Sequence, residues 1–437
     1  MKKYLFIPAF IILAVYLFLP PLLLAQKDVV SFEVNGLKVI FKKVPTNQVV
    51  SANLYFKGGA QLLSDSTQGI ELFLLNSSKR ETRNFPKDVL SAELDRMGSQ
   101  IGAEVSSDYS TLSLRCITDY FDRSWEIFSD VILNPALSEK EINLVRQQMI
   151  NAAKNEKENP DPYIQQISEK LFYVDHPYYN RIRGTEESLA RISPEELKTF
   201  HKDNLVNSRL LLVVVGNLDE SQLKIKIEKT FSQLPAGDFR FNQPPYAPKV
   251  QRPELRIVEK KLPTNYIMGF YHVPNLSQPD YASMKIALSI LDDRLFEELR
   301  TKRNLTYAVS SGMSSRLSNF GYLYITTVDP DSAMRVMLRE VDKLQSNPVS
   351  QKELIDAVNV FLTNYYLGLE TNRSQADFLA RGEISGIGWQ GSFKFVAETK
   401  KLTPKDIESA AKAYIQDIHF GVLGDTTKID QAVFTSK

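Results

Sequence analysis

The chain has 437 residues, with 53 Lys and Arg against 52 Asp and Glu, a formal net charge of +1. That balance leaves no basic footprint for nucleic acid, and the length suits two or three domains. A single cysteine, Cys116, excludes an intrachain disulfide and reads as a buried, inert thiol.

The chain opens on Met1-Lys2-Lys3-Tyr4 followed by an apolar run from Leu5 to Leu24, the outline of a secretory signal. The run approaches the ~20 residues of a membrane span, so anchoring through residues 5–24 is the competing reading. Pro8, Pro20 and Pro21 weaken a continuous helix and favour removal near Ala25-Gln26. No cysteine follows, which excludes a lipoprotein anchor. The expected address is exported, periplasmic or envelope-associated.

Val50 to Phe56 and Ser110 to Cys116 alternate like half-buried strands. Between them, Gly69 to Ser77 predicts a helix buried on nearly every side, capped by Ser or Thr from the run Asp65-Ser66-Thr67. Phe121 to Leu133 and Glu139 to Asn155 carry helical periodicity, the second opened by a Ser138-x-x-Glu141 capping box. Gly98 to Ser107 reads as an edge strand. Glu156-Lys157-Glu158 and Asp292-Asp293-Arg294 read as solvated charge. None of the four histidines, His176, His201, His272 and His419, lies within four residues of another, so no local metal pair can be written. No Gly-rich phosphate loop and no Gly-x-Ser-x-Gly elbow occurs.

An internal duplication organises the whole. Asn134-Pro135 returns as Asn347-Pro348, Ser193-Pro194 as Thr403-Pro404, and Val213-Val214-Val215-Gly216 as Gly421-Val422-Leu423-Gly424. Three anchors in one order mean two copies of one domain rather than a solenoid. The expected division is a signal or anchor at 1–25, a domain at 26–237, a Pro-rich linker at 238–252, and a second domain at 253–437. Each copy reads as α+β, a mostly antiparallel sheet with helices packed on one face.

The run Gly69-Ile70-Glu71-Leu72-Phe73-Leu74-Leu75-Asn76, with Lys57-Gly58-Gly59 before it, resembles the zinc helix of the insulinase/pitrilysin (inverzincin) family, whose signature is His-x-x-Glu-His. The resemblance covers essentially the whole chain after the leader, including His176-Pro177-Tyr178 and Gly184-Thr185-Glu186-Glu187-Ser188. It implies a mitochondrial-processing-peptidase-like metallohydrolase fold. It also places the family's histidines on Leu72 and Asn76, its catalytic glutamate on Leu75, and its later glutamate ligand on Ala152. An accessory glutamate falls on Val145, whereas Arg146 matches. No cofactor is therefore expected in this chain, and Leu72 and Leu75 should pack as core.

Other family features survive. Arg294 to Val309 resembles the second-domain element bearing the family's Arg/Tyr pair, here Arg300 and Tyr307, with Asn304 where a glycine is usual. Gly102, Ala103 and Glu104 lie on the strand the family uses to pair with a substrate backbone. The resemblance implies a non-catalytic subunit, with zinc in a partner insulinase-like peptidase chain and a peptide substrate between them. The alternative is a catalytically dead scaffold or peptide-binding protein, homodimeric or alone.

Overall fold

A computed structural model of the chain describes residues 28–245 and 254–435. The expected signal or anchor, residues 1–25, and residues 246–252 of the expected linker lie outside them.

The first half carries β1 (Val29–Val34), β2 (Leu37–Lys43), β3 (Val49–Lys57), β4 (Gln100–Val105), β5 (Tyr109–Ile117) and β6 (Leu210–Gly216). They form one sheet in the order β1-β2-β6-β3-β5-β4. Asn35 and Gly36, both left-handed at φ 46° and 83°, make the tight turn between β1 and β2. The principal helices of this half are α1 (Ile70–Ser78), α2 (Lys87–Met97), α3 (Phe121–Leu133), α4 (Glu139–Glu158), α5 (Pro160–Phe172), α6 (Pro194–Asn204) and α7 (Glu220–Phe231).

The second half repeats the scheme with β7 (Leu255–Glu259), β8 (Asn265–His272), β9 (Val309–Met313), β10 (Phe320–Thr327) and β11 (His419–Gly424), in the order β7-β11-β8-β10-β9. Its principal helices are α8 (Tyr281–Leu295), α9 (Pro330–Ser346), α10 (Gln351–Leu367), α11 (Asn372–Ile384) and α12 (Pro404–Tyr414). Without β1 the two sheets have the same order, and each has a single parallel pair, β2 with β6 and β7 with β11. Helices α4 and α5 begin at residues 139 and 160, α10 and α11 at 351 and 372, an offset of 212 in both cases.

Each half covers one face of its own sheet. In the first, Phe121, Trp125, Phe128 and Ile227 pack on Leu54, Leu112 and Leu114, and the Trp125 indole donates to Thr230 Oγ1 at 3.0 Å. The helix at 121–133 forms where its apolar spacing predicts.

The other face is covered from across the molecule. Ala376, Leu379, Ala380 and Ile384 of α11 lie against Ile40, Tyr55, Leu211 and Val213 of the first sheet. Reciprocally, Ile164 and Ile167 of α5 lie against Leu423 of the second, and Ser168 Oγ donates to the Met268 carbonyl at 3.0 Å. The halves thus exchange one helix each. This corrects the expectation of half-buried strands, since residues 50–56 of β3 are all buried. Its polar side chains survive burial by bonding to one another. Ser51 donates to Asn53 at 3.1 Å, Asn53 to the Tyr55 hydroxyl at 3.1 Å, and Tyr55 to Asp377 of α11 at 2.5 Å.

Cys116 is buried, and burial pushes its thiol up to about 11, which keeps it protonated and inert.

Candidate functional site

Helix α1 starts differently from the sequence expectation. Thr67 spends its hydroxyl accepting from the Ser64 amide at 2.8 Å, and the N-cap is Gly69, left-handed at φ 84° with no side-chain cap. Glycine is required there twice over, because a Cβ would also sit 2.6 Å from Gly184 Cα.

Leu72 and Leu75 are 9% and 4% exposed. Leu72 packs with Val145, Met149 and Leu189, whereas Leu75 joins the sheet core beside Phe56 and Leu112. Asn76 is half-buried, and Ala152 lies on the exposed face of α4. Arg146 anchors α4, donating to the carbonyls of Leu189 and Ile192 at 2.6 Å each. Leucine and alanine offer no donor and a neutral amide is a poor one, so these residues do not fit zinc. Among the described residues no group of three or more His, Cys, Asp or Glu side chains comes together in a way that could hold a metal.

Replacing Leu72 with His, Leu75 with Glu and Asn76 with His together should create no zinc-dependent peptidase. Ala152 would still lack a donor, and each buried unpaired polar group costs about 1–3 kcal/mol. Robust metal-dependent cleavage by this triple variant would show that Ala152 is not the missing ligand position.

Sequence reasoning missed the charge inside α1. Glu71 is 6% exposed and pairs with Arg209, itself 1% exposed, at 2.5 Å. Ser110 donates to the second carboxylate oxygen at 2.7 Å, and Arg209 Nε donates to the Lys57 carbonyl at 2.8 Å. The capping box at Ser138 is likewise only half formed. Ser138 accepts from the Glu141 amide, but the Glu141 carboxylate turns to Arg80 and Lys87 at 2.9 and 2.8 Å.

Gly102, Ala103 and Glu104 lie on β4, the terminal strand of the first sheet. Pairing with β5 is unbroken from Gln100 to Val105, so Gly102 makes no bend. A Cβ there would meet Ser113 Oγ at 2.9 Å. Glu104 is tied to Arg373 of α11 at 2.6 Å.

Arg300 and Tyr307 stand in the second half, around a π-helical turn at Phe296–Thr301 that packs on α8, α9 and β9. Arg300 is exposed with no carboxylate of the described residues within ion-pair distance, its guanidinium 4.9 Å from the Phe296 ring centre. Tyr307 is 85% exposed. Asn304 between them is left-handed at φ 53°, the conformation the usual glycine would adopt. The structure does not bring this pair to α1 of the same chain.

The halves meet at Asp108. Its carboxylate accepts from the Tyr178 hydroxyl and from the Leu317 amide at 3.1 Å. Arg316 beside it pairs with Glu169 of α5 at 2.6 Å. His176 is structural, its Nδ1 accepting from the Tyr178 amide at 3.0 Å. Burial raises the Asp108 carboxyl to about 6, against the opposing hydrogen bonds and Arg316. A carboxyl that holds its proton more tightly folded than unfolded favours the folded state at low pH. That contribution is present below about 3.9 and lost as pH rises through 6. Urea midpoints from pH 4 to 7 should fall more steeply in the wild type than in Asp108→Asn; parallel slopes would refute this.

A family model described as "Insulinase (Peptidase family M16)" matches residues 38–186, and one described as "Peptidase M16 inactive domain" matches residues 191–361. The chain belongs to the insulinase family. Its relatives include an uncharacterized zinc protease of Rickettsia felis, 24% identical over 77% of this chain and 82% of that one. A protein of Helicobacter pylori named non-peptidase homolog YmxG is 21% identical over 86% of this chain and 89% of that one. The solved structure titled as a protease from Helicobacter pylori superposes with a TM-score of 0.84, covering 90% of this chain and 99% of that one at 19% identity. That likeness shows one shared fold across both halves of this chain.

Proposed function

We propose that this insulinase-family chain is the non-catalytic subunit of a two-chain zinc peptidase, exported to the periplasm or envelope. It closes the peptide chamber and offers Arg300 and Tyr307 to a substrate held at the zinc of its partner. The observation that carries this reading is the pairing of opposites. The positions that the family resemblance gives to zinc hold Leu72, Leu75, Asn76 and Ala152, while Arg300 and Tyr307 stand exposed on the second half with no ion pair among the described residues. An arginine fork and a phenol are suited to a peptide carbonyl. The edge strand β4 adds a backbone surface for an extended peptide.

The test is isolation from the native source followed by metal and chain analysis. The chain by itself should contain no stoichiometric zinc and cleave no unstructured peptide. In the cell extract it should travel with a second insulinase-like chain bearing an intact His-x-x-Glu-His. Recovery only as a monomer or homodimer would favour a peptide-binding scaffold instead.

A further inference from the structure

A cavity of about 610 Å³ lies in the second half, between α8, α10 and α11, closed from the first half by Asp108 and Tyr109. Its size is that of a small-molecule site. One wall is aromatic. Tyr281 and Phe361 each pack on Phe395, with ring centres 5.2 and 5.4 Å apart, and Tyr365 packs on Phe378 at 5.8 Å.

The charges around this wall are not balanced in pairs. Asp108 accepts from Tyr178 and Leu317 and Asp292 from the Ser311 amide at 2.7 Å, neutral donors in both cases, whereas Arg316 is paired with Glu169. Asp292, read from sequence as solvated charge, is thus a built part of the cavity wall. Two cations, half-buried Lys285 and exposed Arg381, line the cavity, and among the described residues neither has a carboxylate in ion-pair contact, although Asp377 stands near enough to act on Arg381. Arg381 is close enough to Lys285 and Tyr281 to influence both, and bonds to Tyr109. The internal repeat sharpens the point. Arg381 stands 212 residues after Glu169, the same place on the exchanged helix, where the first half has a paired acid.

Two neighbouring cations repel, and Lys285, half-buried with no acid in ion-pair contact among the described residues, is costly to keep charged. The fold holds them facing a space with an aromatic side. We infer that this cavity binds a carboxylate carried on an apolar or aromatic body, the acid accepting from Lys285 and Arg381 while the ring packs on Tyr365 and Phe395. A free aromatic acid and the C-terminal residue of a peptide share this chemistry. The site stands apart from the Arg300 and Tyr307 loop, so it does not depend on the subunit role proposed above.

Calorimetric titration of the full chain with N-acetylphenylalanine and with its primary amide tests the inference. The acid should bind about tenfold or more tightly than the neutral amide. Lys285→Met should abolish that preference, and Lys285→Arg should keep it. Because Lys285 has no ion-pair partner to lose, Lys285→Met should melt no lower than the wild type, which separates lost binding from lost folding. Phenylacetate and the dipeptide Ala-Phe then distinguish the sources, the tighter of the two naming the better ligand. Equal binding of acid and amide, no binding of either, or an unaltered preference in folded Lys285→Met would overturn the inference.

Discussion

Glu71→Ala should destabilise the chain by about 3–5 kcal/mol, because it strands the Arg209 guanidinium in the core. Arg209 is 1% exposed, with the rings of Phe56, Phe200 and Phe239 about it at 5.8–5.9 Å. Ser110 loses its acceptor as well. The pair itself is a different matter from its rupture. Replacing both members with apolar residues of similar volume, Glu71→Leu with Arg209→Met, should recover much of the loss. Denaturant unfolding of the two single variants and the double variant measures the coupling. A cost below about 1 kcal/mol for Glu71→Ala would mean that Arg209 reaches solvent or another acceptor.

The second large effect belongs to the two-chain peptidase proposed above. If Tyr307 reaches the peptide carbonyl in the partner's site, Tyr307→Phe removes one donor to an oxygen on which charge develops. Such a donor is worth about 2.7–4 kcal/mol, or roughly 100–1,000-fold in rate. The hydroxyl is exposed, so folding and association should be unchanged. Arg300→Lys keeps the charge but loses the planar fork and should also be slow. Each variant is reconstituted with the zinc-bearing chain, sized, and assayed for cleavage. Wild-type rates from intact complexes would leave Arg300 and Tyr307 as surface residues.

Much of the architecture was legible because it is repeated. The Asn-Pro, Ser/Thr-Pro and Val/Leu-Gly anchors pointed to two copies, and the two sheets share one strand order. The helix at 121–133 was legible to the residue because its apolar face is local information. What failed is what depends on distant chain. Ser51, Asn53 and Tyr55 look like a wet strand face, yet Asp377, over three hundred residues away, completes their hydrogen bonds. Glu71 looked incidental in an apolar helix until Arg209 arrived beside it. Lys285 and Arg381 carried no signal at all, since an unpaired cation is recognised only once the neighbours that might have paired it are placed. The chemistry of Leu72 and Leu75 needed no structure to read, because leucine lacks a metal donor wherever it lies.

The reciprocal placement of α5 and α11 also bears on how such a chain arose. A one-copy precursor with this geometry has a sheet with one open apolar face and a helix that belongs on someone else's. It closes only as a dimer, each copy lending its helix to the other, which is a domain swap. Fusion of two such copies turns that encounter into an intramolecular one and removes its dependence on concentration. Once joined, the copies can diverge so long as the contacts that keep the loan in place survive: the small and branched side chains at Ala376, Leu379, Ala380 and Ile384 on one side, and Ile164 and Ile167 on the other.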